Sequence, residues 1–428
     1  MTNGQASSNP DRPLRVAKVA ACPFPYPRGT PIRAYRMAEA LAARGHHVNV
    51  VTYHLGEAVK SEALEVSRIP DVWWYRKVSP GPSIRKLLLV DPILAVKLWQ
   101  VLRADRFDVI HAHHYEGLLL ALAARGRLPL PIVYDAHTAL ATELPHYSRL
   151  IPRSVSGLVG RLVDTVVPRF AEHTVAVTGS IRDYLVEHGV VDTANISVIG
   201  NGVEPEFLRR AGERRSIDED RSVSLAFAGN LAPYQGIDLL LDIFRRVRDR
   251  HPDARLLLIT ESDFGPYERL AQELGVRYSV EVVRSDLTVL PRLLSTADVL
   301  LNPRPRCDGL PQKLLNYLAA GRPIVSFADS APGLVHGQTA LLAPTSDVDA
   351  FAGLVLRVLE QPLLADRLAE RARAHAVEEL SWERTASEIE SLYRSLLGSP
   401  ASGATAPGSS GGLTAEGSLG RRQAEGGP

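Results

Sequence analysis

Between positions 308 and 323 the chain reads Asp308-Gly309-Leu310-Pro311-Gln312-Lys313-Leu314-Leu315-Asn316-Tyr317-Leu318-Ala319-Ala320-Gly321-Arg322-Pro323. Pro311 suits the first turn of a helix and Gly321 the position just past its end, so the spacing predicts a helix over 311–320. The unpaired amides and positive dipole end of such a helix are suited to a phosphate. Lys313 and Asn316, three apart, share a face near that end, and Gln312 and Asn316 stack four apart. Lysine is scarce, Lys313 being the only one after Lys97, with arginine carrying nearly all other positive charge. A lysine at this place points to phosphate chemistry; the plainer alternative is one lysine on a solvated helix face.

A second cluster is Gly229-Asn230-Leu231-Ala232-Pro233-Tyr234-Gln235-Gly236. Glycines at both ends let a backbone approach a ligand closely, although an ordinary glycine-containing turn has the same composition. His111, His113 and His114 invite a metal reading, since His111 and His113 lie two apart at a strand end and face the same way. No cysteine or third ligand at a recognised spacing completes a site, so no metal is expected.

These residues need elements to hold them. Apolar runs at 16–21, 48–52, 109–111, 132–134, 174–177 and 196–199 read as strands, with a helix over 32–44 after the first. The pattern restarts with strands at 223–228, 255–259, 280–283, 299–301 and 324–326, and a helix over 237–248. Strands apolar throughout and separated by helices imply parallel sheets covered on both faces, hence two doubly wound α/β domains with ligands at the carboxyl ends of their strands. The expected division is a disordered 1–13, a first domain 14–208, a linker 209–221, a second domain 222–380, a final helix 381–397 with Ser381 as its cap, and a disordered tail 398–428.

The chain has 428 residues and a formal net charge of +1, which argues against a bulk nucleic-acid binder. Two cysteines, Cys22 and Cys307, cannot build a disulfide framework. No run of about 18 apolar residues is present, and the polar, proline-bearing start is unlike a signal peptide, so a cytoplasmic location is expected. Neither first strand leads into Gly-x-Gly-x-x-Gly or a Gly-Lys-Ser/Thr loop, which counts against dinucleotide and P-loop readings.

The two clusters, in this order and spacing, resemble glycosyltransferase family 4, retaining sugar transferases of the GT-B fold. The likeness extends to Pro27-Arg28-Gly29-Thr30, Gly45-His46-His47-Val48, Asp108-Val109-Ile110-His111-Ala112-His113, Asp135-Ala136-His137, Asn201-Gly202-Val203 and Ala319-Ala320-Gly321-Arg322-Pro323-Ile324-Val325. It covers nearly all of 14–397. The chain departs from the family pattern where phosphate-binding Arg and Lys fall on Asn230 and Gln235, where the ribose-binding Glu falls on Asn316, and where the first acidic residue is Asp308. Lys313 offers a compensating charge at the helix start.

The resemblance implies transfer of a sugar from a nucleoside-diphosphate donor to an acceptor hydroxyl, with retention, without enzyme nucleophile, metal or organic cofactor. It implies that His137, Asp308 and Lys313 serve catalysis, Asp308 holding sugar hydroxyls. Gly229, Asn230, Gln235, Gly309, Leu310, Pro311, Lys313 and Asn316 would bind the donor, Asn316 at the ribose. Gly29, Thr30, Arg33 and Glu143 would face the acceptor from the first domain. The final helix is expected to cross back onto that domain. The stretch 84–102, basic and aromatic and interrupted by Pro92, is either a helix covering the sheet or a segment lying on a membrane, where a lipid-linked acceptor would be met. Two rival readings are a lapsed binding or scaffold subunit, motivated by Asn230, Gln235 and Asn316, and a non-hydrolysing sugar-nucleotide epimerase, whose extra acidic and histidine constellation is not evident.

Overall fold

Apolar strand runs separated by amphipathic helices can bury both faces only in a covered parallel sheet, and two such sheets form. The computed structural model describes residues 12–26, 29–59, 64–78, 85–141, 144, 153–209, 222–284, 289–307 and 311–398. The first sheet is built from β1 (Arg15–Ala20), β2 (His47–Thr52), β3 (Leu64–Arg68), β4 (Val109–His113), β5 (Ile132–Ala136), β6 (His173–Ala176) and β7 (Ile196–Val198). Its order is β3-β2-β1-β4-β5-β6-β7, all parallel. The second is built from β8 (Ser224–Ala228), β9 (Arg255–Ile259), β10 (Val280–Val283), β11 (Val299–Asn302), β12 (Ile324–Phe327) and β13 (Leu341–Ala343). Its order is β10-β9-β8-β11-β12-β13, again parallel. In each sheet the strand order reverses beside the first strand, between β1 and β4 and between β8 and β11, which opens a crevice at their carboxyl ends.

One face of the first sheet is covered by the helices Asp91–Ala104 and His114–Arg125, through Leu94, Leu98, Leu118 and Ala121. The other is covered by the helix Gly29–Ala43 together with the last helix, Trp382–Gly398, whose Trp382, Ala386, Ile389 and Tyr393 are buried there. The chain therefore crosses back after completing the second domain. Burying Trp382, Ile389 and Tyr393 contributes roughly 1.5–3 kcal/mol each. Gly202 lies at this crossing, where a Cβ would come within 2.5 Å of the Trp382 amide nitrogen, so no larger residue fits.

Some expected boundaries move. Arg12, inside the stretch expected to be disordered, pairs with Asp108 at 2.6 Å, and Gly398 ends the last helix instead of opening a tail. Arg209 closes the helix Pro205–Arg209 instead of opening a linker; 1–11, 210–221 and 399–428 lie outside the described residues. Pro92 restarts the 84–102 stretch as expected: a π-helical turn, Lys86–Val90, gives way to the α-helix Asp91–Ala104.

Candidate active site

In the second domain the glycine loop leaves β8, and the helix Gln312–Ala320 faces it. That helix begins one residue later than expected: Pro311 is extended at its cap and Gly321, left-handed at φ 64°, ends it. Tyr317 on its buried face takes the Ala228 amide at 2.7 Å, which fixes the helix against the end of β8. Lys313 then lies against the Phe227 ring, its ammonium 4.6 Å from the centroid, and donates to Gln235 Oε1 at 2.7 Å. Burial first, and the charge of Arg304 second, pull the Lys313 ammonium down to about 7.

Asn230 and Gln235, expected at the donor, both make hydrogen bonds within the loop. Asn230 Oδ1 accepts from the Ala232 amide at 3.2 Å and Gln235 Nε2 at 3.5 Å, while its Nδ2 donates to the Tyr234 hydroxyl at 2.9 Å. Gln235 is buried and holds Lys313. Gly236 is left-handed at φ 70°, and a Cβ on it would come within 2.4 Å of the Pro303 carbonyl. The loop that follows β11 is thereby seated on the glycine loop, with Arg304 stacked over the Tyr234 ring at 4.9 Å. Asn316 is buried, and among the described residues its Oδ1 has no hydrogen-bond partner. Gln312 Nε2 reaches the Gly202 carbonyl at 3.3 Å, joining this helix to the crossing region. Asp308, Gly309 and Leu310, and Glu143 in the first domain, lie outside the described residues.

The first domain contributes the start of the helix Gly29–Ala43 and the end of β5. Thr30 Oγ1 is 3.3 Å from His137 Nδ1, and His137 Nε2 is 3.3 Å from both His113 Nδ1 and Asp135 Oδ2. Arg33, expected on the acceptor side, is instead buried. Its guanidinium clasps both oxygens of Asp135 at 2.9 Å and donates to the carbonyls of Ile199 and Gly200 and to Asn201 Oδ1. The helix face alone could not reveal this, because the partner carboxylate stands 102 positions later.

His111 and His113 do acquire a third potential metal ligand, Asp135, from the neighbouring strand; their ligand atoms lie within 4.8 Å of one another. The surroundings suit a carboxylate already neutralised. Arg33 occupies both oxygens, and the buried Lys18 is close enough for its charge to act on Asp135 and His111. Burial pulls Lys18 down to about 7 and His111 to about 4, Lys18 adding to the second shift. Against the opposing effect of burial, Arg33 and the histidines hold the Asp135 carboxyl well below the usual range. Tyr393 on the crossing helix closes the cluster, its hydroxyl 2.6 Å from His111 Nδ1. Sequence reading missed Arg304, Tyr234 and Tyr393. Only Arg304 had a local signal, an arginine between prolines directly after a strand at the order reversal.

The first domain also exposes apolar side chains. Leu87, Leu88, Leu89, Val96 and Trp99 face outward around the π-helical turn and the helix after it. Val155, Leu158, Val159 and Leu162 do so at helical spacing on Arg153–Val166. Among the described residues no helix is long and apolar enough to cross a membrane.

The comparisons with known proteins run through the same segments. Residues 27–207 match the family described as Glycosyltransferase Family 4, and residues 222–361 match Glycosyl transferases group 1. The D-inositol 3-phosphate glycosyltransferase of Kribbella flavida is 26% identical over 418 residues, covering 90% of this chain and 96% of that protein. Sucrose-phosphate synthase from Thermosynechococcus elongatus shares the fold with a TM-score of 0.72 at 19% identity, over 90% of this chain and 99% of the other. HepE of Anabaena, solved in complex with UDP and glucose, gives 0.65 at 17% identity, over 89% and 99%. With a family match on each side of the crevice and the GT-B arrangement of its two sheets, the chain belongs to the family 4-type glycosyltransferases.

Proposed function

We propose that this glycosyltransferase moves a sugar from a nucleoside-diphosphate donor to an acceptor hydroxyl with retention at the anomeric carbon. The carrying observation is Lys313, partly buried beside the glycine loop and held at its tip by Gln235. The bond from the anomeric carbon to the diphosphate oxygen breaks, the acceptor oxygen bonds to that carbon on the same face, and the acceptor proton passes to the departing diphosphate. Charge grows on the diphosphate as it leaves, so a preplaced cation in a water-poor site lowers the barrier. Asn316, with an unsatisfied buried carbonyl oxygen, would take a ribose hydroxyl, and His137 with Thr30 would face the sugar and acceptor from the first domain. Asp308 keeps its sugar-binding role as a proposal. No metal ion or organic cofactor is needed in this scheme. The UDP complex of the similarly folded HepE supports a nucleotide donor.

Thermal-shift titration with UDP, GDP, ADP and dTDP tests the reading. One nucleotide should stabilise the protein, by about 2.7 kcal/mol at a hundredfold excess over Kd, and Lys313→Ala should lose the response. No shift with any of the four, in a folded protein, refutes the donor site.

The exposed apolar surface favours a lipid-linked acceptor at a bilayer. Within 85–104 and 153–170 the only carboxylates, Asp91 and Asp164, are buried, while Arg85, Lys97, Arg103, Arg161 and Arg169 carry the accessible charge. Such a surface complements anionic headgroups. Flotation with phosphatidylserine-containing vesicles should carry the protein up, and pure phosphatidylcholine should not. Equal behaviour with both, or a salt-resistant dimer formed through Leu158 and Leu162, rejects the bilayer as occupant.

A further inference from the structure

Two cations converge on adjacent residues of the glycine loop. Lys313 is tied to Gln235, and Arg304 lies over the ring of Tyr234. Among the described residues no carboxylate pairs with either, whereas the buried Arg33 and the mostly buried Arg36 each have one. Two like charges held together cost free energy, which a bound anion of matching charge offsets. The mutual effect is visible in Lys313, whose charged form Arg304 disfavours.

The geometry of Arg304 is constrained at each link. Pro303 and Pro305 flank it, and the Pro303 carbonyl seats against Gly236, where a Cβ would collide at 2.4 Å. Its Nε donates to the Arg306 carbonyl at 2.8 Å, which turns the two terminal nitrogens outward. Below it the Tyr234 ring is held by Asn230 at 2.9 Å. Tyr234 and Arg304 remain partly exposed, so a ligand can reach them. A planar guanidinium whose Nη1–Nη2 edge has no partner among the described residues matches a phosphate, whereas the Lys313 ammonium acts as a point charge.

We infer that Arg304 is the second cation of the donor diphosphate site, binding one phosphoryl group while Lys313 binds the same diphosphate from the helix start. This rests on the proposed nucleotide-sugar reading and adds a residue to it. Asn230 and Gln235 then act as positioning residues: Asn230 orients Arg304 through Tyr234, and Gln235 orients Lys313 directly. The leaving diphosphate meets charge from the β11 loop and from the start of the helix Gln312–Ala320, both set against the glycine loop.

The test measures affinity of the full chain for each of UDP, GDP, ADP and dTDP and for the matching monophosphates. Arg304→Leu should weaken the diphosphate that wild type binds by about 10- to 100-fold, the range for losing one charge-assisted bidentate contact. The monophosphate should change by less than about threefold, since it lacks the second phosphoryl group. Arg304→Lys should recover part of the loss, and Tyr234→Leu should give a smaller diphosphate-selective loss. Arg304 is partly exposed, so its variants should fold, which their melting transitions check. If wild type binds a diphosphate and Arg304→Leu binds it equally, or weakens both nucleotides alike, the assignment of Arg304 is wrong and the donor reading stands. If wild type binds none of the four diphosphates, both fall.

Discussion

Each domain gathers cations at the point where its strand order reverses, fully buried in the first and partly buried in the second, and the two gatherings differ in what faces them. In the first domain Lys18 and Arg33 meet Asp135, ringed by His111, His113 and His137. In the second, Lys313 and Arg304 meet amides and an aromatic ring and, among the described residues, no carboxylate. The first arrangement is neutralised within the protein and supports the fold. The second has no carboxylate partner among the described residues, and the proposed function makes it the place of the donor anion. Two clusters of similar composition thus serve opposite ends, and the counter-charge decides which.

The largest effect that would break this contrast is on stability. Asp135→Asn leaves the Arg33 guanidinium buried without its counter-ion, and should cost about 3–5 kcal/mol in chemical denaturation. A loss under about 1 kcal/mol would mean that the first cluster is not a closed ion pair. Lys313→Met should act in the opposite direction, raising the stability of the nucleotide-free protein by about 1–3 kcal/mol while abolishing its response to nucleotide, because it removes a desolvated charge. If the variant melts lower than wild type, Lys313 is already compensated and the second cluster is not open.

The smallest effect concerns protons. Lys18 and Lys313 both titrate near 7 in the folded chain, against 10.5 for a free lysine. Between those values the unfolded chain binds more protons, so these lysines make stability rise with pH from about 7 to 10.5, and their burial penalty is fully felt below about 7. Only Lys313 should respond to ligand. Diphosphate binding at pH 8 should take up about one proton, read by calorimetry in buffers of different ionisation heat. The same uptake in Lys313→Met would assign the proton elsewhere.

Much of the frame was readable because buried parallel strands are apolar throughout. Arg255–Ile259, Val280–Val283 and Ile237–Arg248 fall where the sequence placed them. Leu64–Arg68 escaped because an edge strand written Leu-Glu-Val-Ser-Arg is half solvated, and Leu341–Ala343 because three residues carry no period. Lys313 was visible through its rarity and its place at a helix start. The burial of Arg33, the loop hydrogen bonds of Asn230 and Gln235, and the place of Arg304 were not legible, for one physical reason. Side-chain commitment depends on contacts between distant strands: Tyr393 meets His111 across 282 positions. Local pattern says which face a residue occupies, and only the assembled fold says what it touches there.

The returning helix has a consequence for how the protein is made. A ribosome releases the first domain's strands early, yet that domain's core stays open on one side until Trp382, Ile389 and Tyr393 emerge. The second domain, whose strands and covering helices run without interruption from Ser224 to Glu379, has all its own parts first. Completion therefore runs against the direction of translation, and a nascent chain stopped before position 382 exposes an apolar trough along β1 and β4.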